Sequence, residues 1–499
     1  MCGGKINVVK AVFFLGYTTK GREQYKRLLN FMAALVIIFF CMFSFSHVWY
    51  NYYNSKMHDP FWHYGNLLMV GLYGIIYVTT AGVFNGFRLG YSKFMGLYGS
   101  QILGILGANA IESVLVALIG RNRMDLKPIF ILAAIQLVFA APWSYLFTVI
   151  YTKMYPPRRL IILYGNSNAK YLVNKMAERT DKYKICAAVS CEESIEEIER
   201  RILRYEGVII TDIPGDLRNK LVKFCFEHSI RMYINPKLSD IIIRGADDFH
   251  LFDTPLLLSR NDGLKFEQRI MKRMFDVLLA VMLLIVALPF MLITALIIKL
   301  YDGGPVLYSQ VRLTKNGRKF KVLKFRSMVI DAEKGGARLA SEHDDRITPV
   351  GKVIRKIRFD ELPQLINILK GDMSFVGPRP ERPELAERYE LTMPEFKYRL
   401  KVKAGLTGYA QIMGKYNTTP YDKLKLDLMY IEHQSVREDL KIILSTVRTV
   451  FVPDATEGVE FDVPIETKRG DIKHDFSKDL ELTEEEVEEF EIAEGLPRR

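Results

Sequence analysis

Cysteine is scarce in this chain: five residues in 499, at Cys2, Cys41, Cys186, Cys191 and Cys225. An odd number of scattered thiols without metal-type clustering argues against a disulfide framework and places the soluble parts in a reducing compartment. Charge is missing too, but only locally. Four stretches, near residues 28–49, 62–84, 95–119 and 129–151, are almost free of it. Each approaches the roughly 20 apolar residues that cross a bilayer. Their length sets aside a soluble helical bundle, and their succession sets aside a cleaved signal peptide. Glycine is missing where a dinucleotide fingerprint needs it: the turn Gly165-Asn-Ser-Asn-Ala169 keeps only the first glycine of G-x-G-x-x-G, which favours an α/β module without bound cofactor.

What is present is a chain with 49% hydrophobic and 12% aromatic residues, which excludes disorder, collagen and coiled coil as the main architecture. Mean hydropathy is +0.05 although 25% of residues are charged, so lipid-facing and water-facing segments are segregated. The net charge of +12 is segregated as well: residues 471–499 hold 11 acids and 4 bases, leaving +19 on the other 470 residues. A basic body fits an anionic partner, whether nucleic acid, a lipid surface or a phosphorylated substrate. Nucleic acid would explain the charge but not the apolar stretches, so no nucleic-acid partner is expected.

The four stretches read as a four-helix transmembrane bundle over residues 1–155. Trp49, Tyr50, Tyr52, Tyr53, Trp62 and Tyr64 bracket its first hairpin as interface anchors do. Lys5, Lys10, Lys20, Arg22, Lys26 and Arg27 precede the first span, and Lys153, Arg158 and Arg159 follow the fourth. Both flanks are therefore cytoplasmic by the positive-inside rule, with Arg121, Arg123 and Lys127 running against it. After a Pro156-Pro157 linker, strand patterns at 159–165, 184–189, 207–211 and 230–234 alternate with helical ones at 169–179, 195–205 and 216–228. That alternation predicts a parallel, Rossmann-like α/β module over 156–262.

A fifth apolar run covers 277–300. Pro289 interrupts it, and bases stand at both ends: Arg269, Lys272 and Arg273 before, Lys299 after. A helix-interior proline removes a hydrogen bond and kinks the helix. Positive charge on both flanks keeps both ends on one side. The expectation is a kinked, re-entrant membrane helix opening a mostly helical α+β catalytic domain over 263–460, followed by an acidic tail over 461–499.

Beyond Gly303 the chain is rich in residues that suit phosphate. Asp360-Glu361-Leu-Pro363 opens a helical pattern, and capping by Asp360 explains the two acids on its own. Capping does not explain Lys324, Arg326, Arg355, Arg358 and Arg379 in the flanking motifs. Adjacent carboxylates diverge by about 100° on a helix, so one can face a phosphorus atom while the other holds a cation. Covalent phosphoryl transfer requires that division. Gly377-Pro-Arg-Pro380 is a rigid turn presenting one arginine.

Lys272-Arg273-Met-Phe-Asp276, the Pro-kinked helix, Lys324-Phe-Arg-Ser-Met328, Asp360-Glu-Leu-Pro-Gln-Leu365, Gly371-Asp-Met-Ser374 and Gly377-Pro-Arg-Pro380 occur in one series. Over about 269–453 that series resembles the bacterial sugar transferases, the monotopic polyprenyl-phosphate phosphoglycosyl transferases. The preceding segments resemble its large members, such as undecaprenyl-phosphate galactose or glucose phosphotransferases. The resemblance implies transfer of a sugar 1-phosphate from a UDP-sugar to undecaprenyl phosphate, with release of UMP, as the first step of exopolysaccharide, capsule or O-antigen synthesis. Asp360 would be the nucleophile forming an aspartyl intermediate, and Glu361 the Mg²⁺ ligand. Arg355 and Arg379 would bind substrate phosphates, with Lys324 and Arg326 as further phosphate contacts. Lys272, Arg273, Asp276 and Pro289 would seat the re-entrant helix in membrane lipid. The implied location is the bacterial inner membrane, multi-pass, with the middle and catalytic domains cytoplasmic; a homodimer is a candidate assembly. Arg358-Phe359 departs from the smaller or aliphatic residues many members carry.

Two other readings stand beside this one. A membrane-bound nucleotide-sugar dehydratase or epimerase would use a Tyr-x-x-x-Lys, and Tyr421 and Lys425 have that spacing, but no glycine loop precedes them. A non-catalytic membrane scaffold or transporter would need buried charge in its spans, where Glu112 is the one acid.

Overall fold

The computed structural model describes residues 19–57, 59–120, 125–165, 168–260, 263–330, 346–414 and 418–451. Lys5, Lys10, Arg121, Arg123, two residues of the Gly165 turn and the acidic tail lie outside the described residues. The chain divides into two compact units, one reaching Lys237 and the other starting at Leu238.

The first unit begins with four long helices: α1 (Thr19–Val48), prolonged by a π turn at Trp49–Tyr53, α2 (His63–Val83), α3 (Phe94–Ile119) and α4 (Lys127–Met154). All four are long and apolar enough to cross a membrane. They interlock through a buried aromatic core, with the Phe45 and Tyr73 rings stacked 4.2 Å apart. Side-chain bonds reinforce the packing: Trp143 Nε1 donates to the Ala33 carbonyl at 3.0 Å, joining α4 to α1.

A parallel sheet follows. β1 (Arg158–Tyr164), α5 (Asn168–Ala177), β2 (Tyr183–Ser190), α6 (Ile195–Ile202), β3 (Gly207–Thr211), α7 (Gly215–Glu227) and β4 (Arg231–Ile234) alternate as the sequence pattern predicts. The strand order is β2-β1-β3-β4 and every pairing is parallel. Successive side chains of β1 and β3 enter opposite cores: Ile161, Leu163, Val208 and Ile210 pack with Ile198 and Leu221, and Leu160, Ile162 and Ile209 with Ala169. Both faces are covered, which is why these strands read as continuous apolar runs rather than alternating ones.

The second unit opens with α8 (Leu238–Arg244) and an antiparallel hairpin, β5 (Asp247–Leu251) and β6 (Thr254–Leu258). Next comes α9 (Phe266–Asp302), a 37-residue helix that also meets the membrane criterion. It contains Pro289 and stops on Gly303, whose φ of 71° suits a residue without Cβ. Behind it stand the hairpin β7 (Leu307–Leu313) and β8 (Lys319–Phe325), α10 (Pro349–Lys356), α11 (Gln364–Lys370), β9 (Met373–Val376), α12 (Pro383–Thr392), β10 (Ala404–Thr407), α13 (Tyr409–Ile412), α14 (Pro420–Glu432) and α15 (Val436–Phe451).

Both halves of α9 meet this same unit. Ala280 is buried with Phe320, Leu365, Met373 and Phe375, and Met291, Ala295 and Ile298 pack around Phe325 and Ile354. The remaining side of the helix, including Leu278, Ile285, Val286, Leu292 and Leu300, is exposed.

Candidate active site

Thr348 caps α10, its Oγ1 accepting from the Gly351 amide at 2.9 Å. The chain then takes a left-handed step at Arg358, φ 59°. A non-glycine residue in that region is strained, and such strain gathers at functional sites. A 3₁₀ turn, Phe359–Glu361, follows, and only then α11. The sequence expectation that Asp360 caps this helix is corrected here. Pro363 occupies the position before α11, and no side-chain cap bond is made there. Proline fixes φ and brings no amide for a cap to accept, so the helix starts beyond the two acids and leaves them outside it. Asp360 is 8% exposed.

Cations distant in sequence converge on the pair. Lys324 comes from β8, which α11 holds in place: Asn367 Oδ1 accepts from the Leu323 amide at 3.0 Å and its Nδ2 donates to the Lys321 carbonyl at 2.9 Å. Lys324 Nζ reaches Glu361 Oε1 at 2.9 Å, and Arg379 Nη2 reaches the same oxygen at 3.2 Å. Arg379 follows β9, where Gly377 and Gly405 touch closely. A Cβ on Gly405 would meet the Gly377 nitrogen at 2.1 Å, so no larger residue fits.

These neighbours push the two carboxyls apart. Burial raises Asp360 above the usual carboxylate range, and the charge of Glu361 adds to it; Lys324, Arg355 and Arg358 offset only part. Burial acts on Glu361 in the same sense, but Arg379 and Lys324 outweigh it and hold that carboxyl well below the usual range. Burial also lowers the Lys324 ammonium, against the pull of Glu361. Two adjacent acids in unlike environments are equipped for unlike roles.

Of the remaining sequence candidates, Arg355 acts on Asp360 through its charge. Arg326 turns to Asp302 at the end of α9 and is 92% buried, being 8% exposed. Lys272, Arg273 and Asp276, read from the sequence as membrane-interface residues of the re-entrant helix, bond within the protein and pin the start of α9. Lys272 Nζ contacts Asp439 Oδ2 at 2.5 Å and the Val376 carbonyl at 3.4 Å. Asp276 Oδ1 accepts from Ser374 Oγ and the Phe375 amide, both at 3.1 Å. Arg273 donates to the last carbonyls of α11, Ile368 at 2.6 Å and Leu369 at 2.8 Å, satisfying groups a helix end leaves open. Pro289 lies within α9, away from the acids in sequence.

Sequence reasoning passed over Arg312. With Lys324, Glu361, Gln364 and Arg379 it lines a cleft of about 20 Å³. Burial lowers its guanidinium to about 10, with Arg379 and Arg382 adding to the effect. The signal was available in principle. Tyr308 pairs with Lys324 and Arg312 with Phe320, so period-2 alternation puts Arg312 and Lys324 on one face of the hairpin.

Glu361 and Asp360 are the carboxylates a divalent cation would meet here. Among the described residues no group of three or more His, Cys, Asp or Glu is placed to hold a metal ion. The oxygen donors still fit Mg²⁺, which keeps several waters and binds through one or two carboxylates together with substrate phosphates.

A family model described as bacterial sugar transferase matches residues 267–453. The chain is 39% identical over 188 residues to the UDP-glucose:undecaprenyl-phosphate glucose-1-phosphate transferase of Caulobacter vibrioides, covering 37% of this chain and 70% of that protein. It is 40% identical over 191 residues to an uncharacterized sugar transferase, EpsL, of Bacillus subtilis, covering 38% and 91%. With the UDP-N-acetylgalactosamine-undecaprenyl-phosphate N-acetylgalactosaminephosphotransferase of Aeromonas hydrophila it shares 37% identity over 256 residues, 50% of this chain and 59% of that one. The chain spans about half the length of several curated relatives it matches.

Proposed function

The chain belongs to the bacterial sugar transferase family, and from that premise we propose that it is a phosphoglycosyl transferase moving a sugar 1-phosphate from a UDP-sugar to undecaprenyl phosphate. The observation that carries the reading is the convergence of Lys324 and Arg379, 55 residues apart in sequence, on Glu361 beside the buried Asp360.

In this mechanism an oxygen of ionised Asp360 attacks the sugar-bearing phosphorus. A P–O bond forms to the aspartate, and the P–O bond to UMP breaks, UMP leaving with the electron pair. An oxygen of the lipid phosphate then attacks the same phosphorus. The aspartyl–phosphate bond breaks, and the carboxylate returns with lipid-diphosphate-sugar as product. Arg379, Arg355 and Lys324 hold phosphate oxygens through charge-assisted bonds. Glu361, kept ionised, is the residue to hold Mg²⁺, which when bound neutralises charge on the diphosphate. Arg326 joins the phosphate contacts only by leaving Asp302.

We read α1–α4 as a transmembrane bundle, the parallel sheet as a Rossmann-like module and 263–460 as a separate catalytic domain on the cytoplasmic face of the inner membrane. The re-entrant reading of α9 draws support from both of its halves packing on one unit, because a span clear of that unit would leave one half without such contacts. A homodimer is part of the proposal, as is a role at the start of exopolysaccharide, capsule or O-antigen synthesis.

Incubation with a UDP-sugar and Mg²⁺ without lipid should leave an acid-labile phosphosugar on the peptide holding Asp360. Undiminished UMP release by Asp360→Asn in the presence of lipid acceptor would remove the nucleophile from the scheme. A cysteine placed after Leu300 should resist an impermeant reagent applied to intact cells, and labelling from outside would refute the re-entrant helix.

A further inference from the structure

Arg379 has a half-exposed side chain on an immobilised turn. Its neighbours are held carbonyl by carbonyl. The Val376 oxygen accepts from the Tyr430 hydroxyl at 3.1 Å, that of Pro378 from the Gly405 amide at 2.9 Å, and that of Pro380 from Arg312 Nη1 at 3.1 Å. The carbonyl of Arg379 itself accepts from Arg399 Nη2 at 3.1 Å.

Among these donors Arg399 is the cation that is itself buried. It is 3% exposed, and its guanidinium is oriented before it meets the turn. Nε and Nη2 both donate to Asp427 Oδ2, at 3.0 and 2.7 Å, and Nη1 faces Glu381 Oε1 at 3.3 Å. The guanidinium carbon stands 4.7 Å from the centre of the Phe396 ring. Asp427 is 1% exposed. For stability alone, apolar side chains of similar size would serve at least as well as a buried ion pair. The one thing this pair does that apolar packing cannot is to fix a hydrogen-bond donor on a specific carbonyl.

We propose that Arg399, anchored by Asp427, is a positioning residue for Arg379: it fixes the backbone from which the Arg379 guanidinium reaches Glu361 and the substrate phosphates. The proposal rests on the transferase reading for its catalytic meaning. Lysine at 399 keeps the charge opposite Asp427 but lacks the planar fork. Asp427→Asn keeps an acceptor for Arg399 and removes its charge.

The test uses the full chain in lipid nanodiscs. Arg399→Lys should raise the KM for the UDP-sugar by roughly tenfold, as loss of one charged hydrogen bond allows, when assayed well below the variant's own melting temperature. Arg379→Lys should act on the same constant. In the double variant the second substitution should add less than about twofold, since Arg399 acts through Arg379. Independently of turnover, hydrogen exchange at the amides of Gly377, Arg379 and Glu381 should quicken in Arg399→Lys and in Asp427→Asn. Multiplying effects in the double variant, or unchanged exchange in the turn, would overturn the proposal. A wild-type chain that releases no nucleotide from any UDP-sugar refutes the transferase reading instead, and the exchange measurement still decides whether Arg399 holds the turn.

Discussion

Between α1 and α4 most buried polar groups are neutral and several bond to one another, whereas the second unit buries ion pairs beside its neutral groups. Tyr73 donates to Gln136 Oε1 at 3.0 Å, Asn109 to the same oxygen at 2.8 Å, and Tyr77 to Gln101 at 2.6 Å. Glu112 is the buried acid among them, with neither carboxylate oxygen hydrogen-bonded, and Asn109 Oδ1 and Ser144 Oγ are likewise without a bond. The second unit buries Lys272 with Asp439 and Arg399 with Asp427, and pairs Lys324 with Glu361 at partly buried positions. Neutral amides and hydroxyls are enough to set the packing of apolar helices, at a modest desolvation cost. Burying ions is far more costly, and the second unit gathers its buried ion pairs close to β9 and the turn that follows it.

The sharpest way to break this contrast is at Asp360. Asp360→Asn should lower turnover by about a thousandfold or more, since a covalent nucleophile has no substitute, and UMP release measures it. The same variant should melt higher than wild type at pH 7. Its folded pKa is raised, so ionised Asp360 costs stability at neutral pH. The difference should vanish as pH falls below the unfolded value of about 3.9. A wild type that melts higher than Asp360→Asn at pH 7 would show that burial does not oppose its charge.

Next in size is Lys272→Met, which leaves Asp439 buried without its cation and should destabilise the chain by about 3–5 kcal/mol. Adding Asp439→Leu should recover most of that in thermal unfolding. If the double variant is no more stable than the single one, the pair is not an isolated ionic unit.

The pH profile is a finer probe. Asp360 must be ionised to attack, so kcat/KM should fall on the acid side through a midpoint above the usual carboxylate value of about 4. A midpoint at or below 4 would contradict the raised carboxyl. Smallest is Gln136→Leu between the helices, expected to cost about 1 kcal/mol and to leave UMP release unchanged. A loss comparable to Lys272→Met would erase the distinction between the two regions.

Much of the architecture could be read along the chain. The expected apolar run at 95–119 became Phe94–Ile119, and the strand pattern at 207–211 became Gly207–Thr211. Lipid-length apolar runs and doubly buried strands leave strong periodic signals. Element ends were less legible: the pattern at 277–300 marks only the apolar part of a helix that starts at Phe266, because its first turns are polar on one side. At the site, the order of motifs nominated Lys324, Arg355, Asp360, Glu361 and Arg379. It did not reveal that Arg326 would pair with Asp302, that Arg312 would line the cleft, or that Arg399 would hold the Arg379 carbonyl.

The amino-acid order alone determined the apolar segments, the parallel alternation and the acidic pair with its basic company, since each depends on neighbours within a few residues. Tertiary structure decided which base meets which acid, and how far apart two adjacent carboxyls are driven. Those depend on burial and on charges brought together from β8, α10 and the turn after β9. No local pattern encodes such distances, because they exist only once the chain has closed around them.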